Sequence, residues 1–189
     1  MEESQVKLPN RYIVEDKHFA LDSKFVITDE TGNIYYTVDS TLFTMGDKLQ
    51  MYDAGGNELI RIRQENLHLH KTYIIQSVRT DADEMQLASV KRTGLLGQHK
   101  LEIIAVDGAY IMEKRGNAFS HEFTLKKGDD VVAIVTKDPS ATKSIYWLDV
   151  SADRDEYRAF LVALVIVLSC AQRLPGNPLS TPHEGNAKP

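Results

Sequence analysis

In "ELIRIR" (58–63) a strand period of two puts Ile60 and Ile62 on one face and Arg61 and Arg63 on the other. The stretch "SVKRTGLLGQHK" adds Lys91, Arg92 and Lys100 beside a glycine-containing loop. Together, Arg61, Arg63, Lys91, Arg92 and Lys100 form a candidate site for an anion or lipid head group, because guanidinium and ammonium groups donate charge-assisted hydrogen bonds to phosphate oxygens. The competing reading is an ordinary solvated surface, since exposed Lys and Arg are the norm. His68 and His70 share a strand face and offer two metal ligands, but no third Cys, His or acid stands at a recognisable spacing, so no metal is expected. Ser169 and Cys170 lie inside an apolar run, where a thiol lacks the accessible, electropositive setting that activates it. No catalytic residue is therefore assigned. "TGLLG" lacks the lysine and strand context of a phosphate loop, and Asp81, Asp83 and Glu84 are not followed by a calcium-loop frame. No cofactor is expected.

Composition limits the partners. The 189-residue chain carries a net charge of −5 with a pI near 5.7, which disfavours a nucleic-acid binder, since that task requires a basic face. Charge is uneven, however: residues 61–100 hold seven Lys and Arg against four acids. A single cysteine rules out an internal disulfide and suits a reducing compartment, and the N-terminus, "MEESQVKLPN", lacks the pattern of a secretory signal. A cytoplasmic protein is expected.

These side chains need a scaffold, and the sequence points to one. About a dozen short runs rich in β-branched and aromatic residues recur, among them "RYIV" (11–14), "NIYYTV" (33–38), "KLEIIAV" (100–106), "DVVAIVT" (130–136) and "SIYWLDV" (144–150). Turn signals such as "DAGGN" and "KKGDD" separate them. The pattern predicts an antiparallel barrel or sandwich. Trp147 is expected to pack on the interior or to close one end.

Near the end, "AFLVALVIVLSCA" (159–171) has no charged side chain on any face. Thirteen residues make a helix of roughly 20 Å, short of the roughly 30 Å bilayer core, so no membrane span is expected. Asp153 as N-cap, Glu156 three residues on, Arg173 near the end and Pro175-Gly176 beyond frame a helix over about 154–172. A helix apolar all round must be enclosed by protein, and many strands before it suggest that it threads a barrel and fills the lumen. Residues 1–10 are read as a flexible N-terminus, 11–173 as one domain and 174–189, which hold four of the six prolines, as a disordered tail.

The segment "GNELIRIRQENLHLHKTYII" resembles one shared by the LURP-one-related proteins, a branch of the tubby C-terminal-like superfamily that includes the phospholipid scramblases. Ile62, Arg63, Leu67, Leu69, His70 and Tyr73 fit its pattern, and "GNAFSHEFTLKKGDDVVAIVTK" (116–137) agrees, as does the closing order of strand, acidic loop and apolar helix. The resemblance implies a twelve-stranded β-barrel around a hydrophobic C-terminal helix. It also implies, through the wider superfamily, phosphoinositide or phospholipid binding or a scramblase-like membrane association. The family's Arg-Arg-Lys is Arg63-Gln64-Glu65 here, so any attraction to anionic phospholipid is expected to be weak. Two classes of function follow: a non-catalytic binding or scaffold module, for a lipid head group, a protein partner or another domain, or a small-molecule binder or enzyme with a pocket at a barrel mouth. A filled lumen favours the first.

Overall fold

A computed structural model describes residues 9–17, 25–40, 48–65, 71–78, 84–93, 100–117, 119–141, 143–151 and 157–172. Twelve strands run in order: β1 (Arg11–Asp16), β2 (Phe25–Thr28), β3 (Ile34–Ser40), β4 (Lys48–Asp53), β5 (Glu58–Glu65) and β6 (Thr72–Val78), then β7 (Glu84–Thr93), β8 (Lys100–Ala105), β9 (Gly108–Lys114), β10 (Glu122–Lys127), β11 (Asp130–Lys137) and β12 (Ile145–Val150). One helix, α1 (Arg158–Gln172), follows them. Each strand pairs antiparallel with its neighbours in sequence, and β1 pairs with β12, so the sheet closes and leaves no edge.

Period-two alternation sorts the side chains. Val14, Ile27, Val38, Met51, Ile62, Ile75, Val90, Ile103, Met112, Leu125, Val135 and Leu148, one from each strand, point inward and are no more than 1% exposed. They surround α1, in which every residue from Val162 to Leu168 is 0% exposed. This explains why the helix needs no polar stripe: every direction from its axis meets a strand.

Two tight hairpins share one sequence logic. In Asp29–Asn33 and Asp53–Asn57 the leading aspartate accepts from the backbone NH groups at the third and fifth positions, at 2.8–3.0 Å. The fourth position is a glycine with φ of +88° or +82°, a conformation that strains any residue with a Cβ. This Asp-x-x-Gly-Asn unit fixes the register of β2–β3 and of β4–β5 alike.

Within its described span α1 has no acid in the first turn and no base in the last; Asp153, Glu156 and Arg173, the expected frame of the helix, and the 174–189 segment lie outside the described residues. One expectation changes. Trp147 neither packs on the helix nor closes an end. Its neighbours Tyr146 and Leu148 point inward at 1% and 0% exposure, so alternation turns Trp147 outward, opposite Ile13 and with the Arg11 guanidinium 5.8 Å from its ring.

Candidate functional site

β1 begins beside the N-terminal end of α1, where the Arg158 guanidinium donates to the Pro9 carbonyl and, at 3.2 Å, to the Asn10 side-chain oxygen. It ends beside the helix C-terminus, where the Ser169 hydroxyl lies 3.3 Å from Asp16 Oδ2. Because the strands alternate in direction, the turns β2–β3, β4–β5, β8–β9 and β10–β11 sit on the rim around the helix N-terminus. Among the described residues these turns carry Asp29, Glu30, Asp53, Asp107 and Asp129. The opposite rim carries Lys48, Lys71, Arg92, Lys114, Lys137 and Lys143 against Asp16, Glu65 and Asp138 among the described residues. On balance the acids favour the positive N-terminal end of the helix dipole and the bases its negative C-terminal end, with charges that α1 itself does not supply.

Four of the five predicted cations face outward. Arg61 and Arg63 stand on the outer face of β5, Lys91 on β7 and Lys100 on β8, each two residues from, or next to, inward apolar side chains. Arg61 is held by Glu58, Nε to Oε1 at 2.6 Å and Nη2 to Oε2 at 2.9 Å, and Gln50 donates to the same carboxylate at 3.1 Å. The hydrogen bonds from Arg61 hold the Glu58 carboxyl below its ordinary pKa, against the burial that pushes it up. Lys100 lies 3.7 Å from Glu102. Arg63 and Lys91 are exposed.

Arg92 departs from the expected cluster. It has the inward parity of Ala88 and Val90, and its Nη1 donates to the carbonyl of Ala171 at 2.9 Å, so it serves the end of the helix. The outer face of the barrel carries a further cation outside the sequence-derived cluster. Lys48 faces Arg63 directly across β4–β5, and both are exposed. Like charges in directly opposed positions repel, so this pair does not stabilise the sheet. Counting back from the "DAGGN" turn would have found it.

His68 and His70 lie outside the described residues, as do Asp81 and Asp83. Among the described residues no three His, Cys, Asp or Glu side chains stand together as metal ligands. Ser169 and Cys170 are 3% and 1% exposed. A cleft of about 270 Å³ opens on the rim around the helix N-terminus, between Tyr110, Val132, Val150, Tyr157 and Leu161. Two of its hydroxyls are already satisfied: Ser151 Oγ donates to the Val131 carbonyl at 3.0 Å, and the Tyr110 hydroxyl donates to Asp107 at 2.5 Å. Lys127 Nζ reaches the same Asp107 oxygen at 2.5 Å and sits 5.1 Å from the Tyr110 ring centre. Burial pushes the Asp107 carboxyl up, but the bonds from Lys127 and Tyr110 outweigh it and hold the group below its usual range. This triad ties β8–β9 to β10, and through Tyr110 it forms part of the cleft wall.

A family model described as LURP-one-related matches residues 10–169. The chain belongs to the LURP-one-related family. It is 24% identical over 165 residues to protein LURP-one-related 10 of Arabidopsis thaliana, covering 80% of this chain and 84% of that one. It is also 24% identical over 153 residues to the uncharacterized protein YxjI of Bacillus subtilis strain 168, covering 81% and 89%. An X-ray structure of an Arabidopsis thaliana protein matches with a TM-score of 0.57 at 20% identity, over 86% of this chain and 91% of that chain, a likeness of fold. None of these names states a catalytic activity. The LURP-one-related match spans the whole barrel and most of α1, so the filled lumen lies within the family's own boundaries. Among the described residues no helix is long and apolar enough to cross a membrane.

Proposed function

We propose that this LURP-one-related chain is a non-catalytic binding or scaffold module that acts through the outside of its barrel, in a cytoplasmic setting suited to its one buried cysteine. The observation that carries the reading is the complete burial of Val162–Leu168. A barrel that size normally gains an enzyme pocket or ligand cavity from its lumen, and here side chains of α1 occupy it. What remains for recognition is the wall, the rims and a mouth cleft in which the Tyr110 and Ser151 hydroxyls are already engaged. Native mass spectrometry of protein purified without added ligand tests this: the expected mass is that of the bare chain. A small molecule retained in stoichiometric amount, and lost only on unfolding, would place a ligand inside and overturn the reading.

A second reading has one observation in its favour. The outward pair Lys48 and Arg63, with Lys91 two strands away, offers an anionic phospholipid three cations held near one another by the sheet. Membrane attraction contributes about 1 kcal/mol for each well-placed basic side chain, so three give weak, salt-sensitive association. Vesicle sedimentation separates the two readings.

A further inference from the structure

Seven large apolar residues are conspicuously exposed among the described residues, and five of them, Ile104, Val106, Ile111, Phe119 and Val131, lie within β8–β11 and their turns. Of the other two, Ile34 stands apart on β3, and Met85 lies on β7 two residues from Leu87, whose carbonyl accepts from the Val106 NH at 2.9 Å. Ile104 is 72% exposed and pairs across β8–β9 with Ala109, one outward position from Ile111 at 39%. Ile111 and Val131, at 43%, both stand opposite Lys126, one from each side. Val106 marks the rim around the helix N-terminus, and Phe119, 85% exposed, marks the other rim. The outward positions between Ile111 and the Phe119 rim are Glu113 and Arg115 on β9 and Thr124 and Glu122 on β10, so the apolar strip covers the part of the wall nearer the helix N-terminus and gives way to polar side chains before Phe119.

Beside the strip the wall is concave. A groove of about 330 Å³ has Thr124, Val131 and Ile134 for its floor, and Thr124 is only 7% exposed although it points outward. Lys114, Arg115 and Lys126 border it against a single acid, Glu113. Arg115 is engaged with Glu122 at 3.0 Å and Lys126 with Glu113 at 3.5 Å, both in solvent-exposed pairs. Exposed pairs of this kind are held weakly and exchange readily for an incoming carboxylate.

We propose that the outer wall of β8–β11 docks a protein segment carrying apolar side chains interspersed with acidic ones. The proposal rests on the binding-module reading and names the surface and partner. An elongated, partly concave strip fits a chain segment better than a flat bilayer, apolar side chains of the segment would cover Ile104, Ile111 and Val131, and its carboxylates would meet Arg115 and Lys126. Large exposed apolar surface of this sort is otherwise a solubility liability.

The test is selection of a displayed random dodecapeptide library against the intact chain, followed by amide chemical-shift mapping of the recovered peptides. The expected result is enrichment of acidic, aromatic or aliphatic sequences that perturb amides of residues 104–134. Ile104→Glu, or Arg115→Glu together with Lys126→Glu, should weaken their binding by at least about tenfold, with an unchanged melting temperature, whereas Arg63→Glu should not. Peptides that map to the Arg63 and Lys91 face would overturn this assignment while sparing the binding-module reading, and peptides that perturb only the α1 core would overturn both. A concentration-dependent dimer abolished by Ile104→Glu in sedimentation velocity, or vesicle binding abolished by the same change, would give the strip to a second copy or to a membrane and overturn the proposal.

Discussion

Arg92 Nη1 donates to the carbonyl oxygen of Ala171 at 2.9 Å, joining the end of β7 to the end of α1 across 79 positions of sequence. The Tyr146 hydroxyl and Lys137 Nζ close the same end, reaching the Gln172 side-chain oxygen at 2.9 Å and 3.5 Å. A helix with no base of its own in the last turn thus borrows its C-terminal partners from three strands. Replacing Arg92 with Ala should cost about 1–2 kcal/mol of unfolding free energy. Urea titration measures it, and Arg92→Lys should recover part of the loss; a wild-type midpoint for Arg92→Ala would show the contact to be incidental.

Leu164 is 0% exposed at the centre of α1. Leu164→Asp places an unpaired charge there at a cost of several kcal/mol, enough to unfold a typical domain. Leu164→Ala, which leaves only a cavity, should remain folded and lose about 2–5 kcal/mol. Circular dichroism melts distinguish the outcomes, and a soluble Leu164→Asp protein with the wild-type melting temperature would contradict the buried-helix account.

The twin turns make a pH prediction. Hydrogen bonds from the Thr31 side chain, and then from Asn33, hold the Asp29 carboxyl well below the usual carboxylate range, and the Asn57 side chain lowers that of Asp53. A depressed folded-state pKa contributes stability that is present above the unfolded value, about 3.9, and is lost as pH falls from there through the folded value. The melting temperature should therefore drop on acidification below about pH 4. In the double variant Asp29→Asn/Asp53→Asn the drop should be shallower. Identical acid profiles for the two proteins would remove these turns from the explanation.

For anionic phospholipid the expectation is little binding at physiological salt and a weak signal at low salt, since the overall charge of −5 and Glu65 offset Lys48, Arg63 and Lys91. Sedimentation with phosphoinositide-containing vesicles decides it. Tight binding at physiological salt, abolished by Arg61→Ala/Arg63→Ala, would reverse the ranking of the two functional readings.

The strands were legible because alternation and turn chemistry are local, and the helix because a thirteen-residue run with Ser169 as its one polar side chain has few other homes. Alternation alone does not say which face is inside, and this is why Trp147 was misplaced: Tyr146 takes the interior because its hydroxyl can reach Gln172, a partner 26 positions away. Arg92 was misassigned for the same reason, since its partner is a backbone carbonyl in a distant element. Lys48 was recoverable by counting register from the Asp53–Asn57 turn. The exposed strip of Ile104, Ile111 and Val131 left no mark in sequence, where outward and inward apolar residues look alike.

The central claim is that α1 fills the barrel and moves recognition to the outside. Native-state amide hydrogen exchange at Val162–Leu168 tests it most directly. The account predicts that these amides are among the slowest in the protein and exchange only with the free energy of global unfolding, tracking denaturant like the core strands. Exchange there as fast as in the Asp29–Asn33 turn, with β4–β7 still protected, would mean that the helix leaves an intact barrel and that the lumen is available to a ligand.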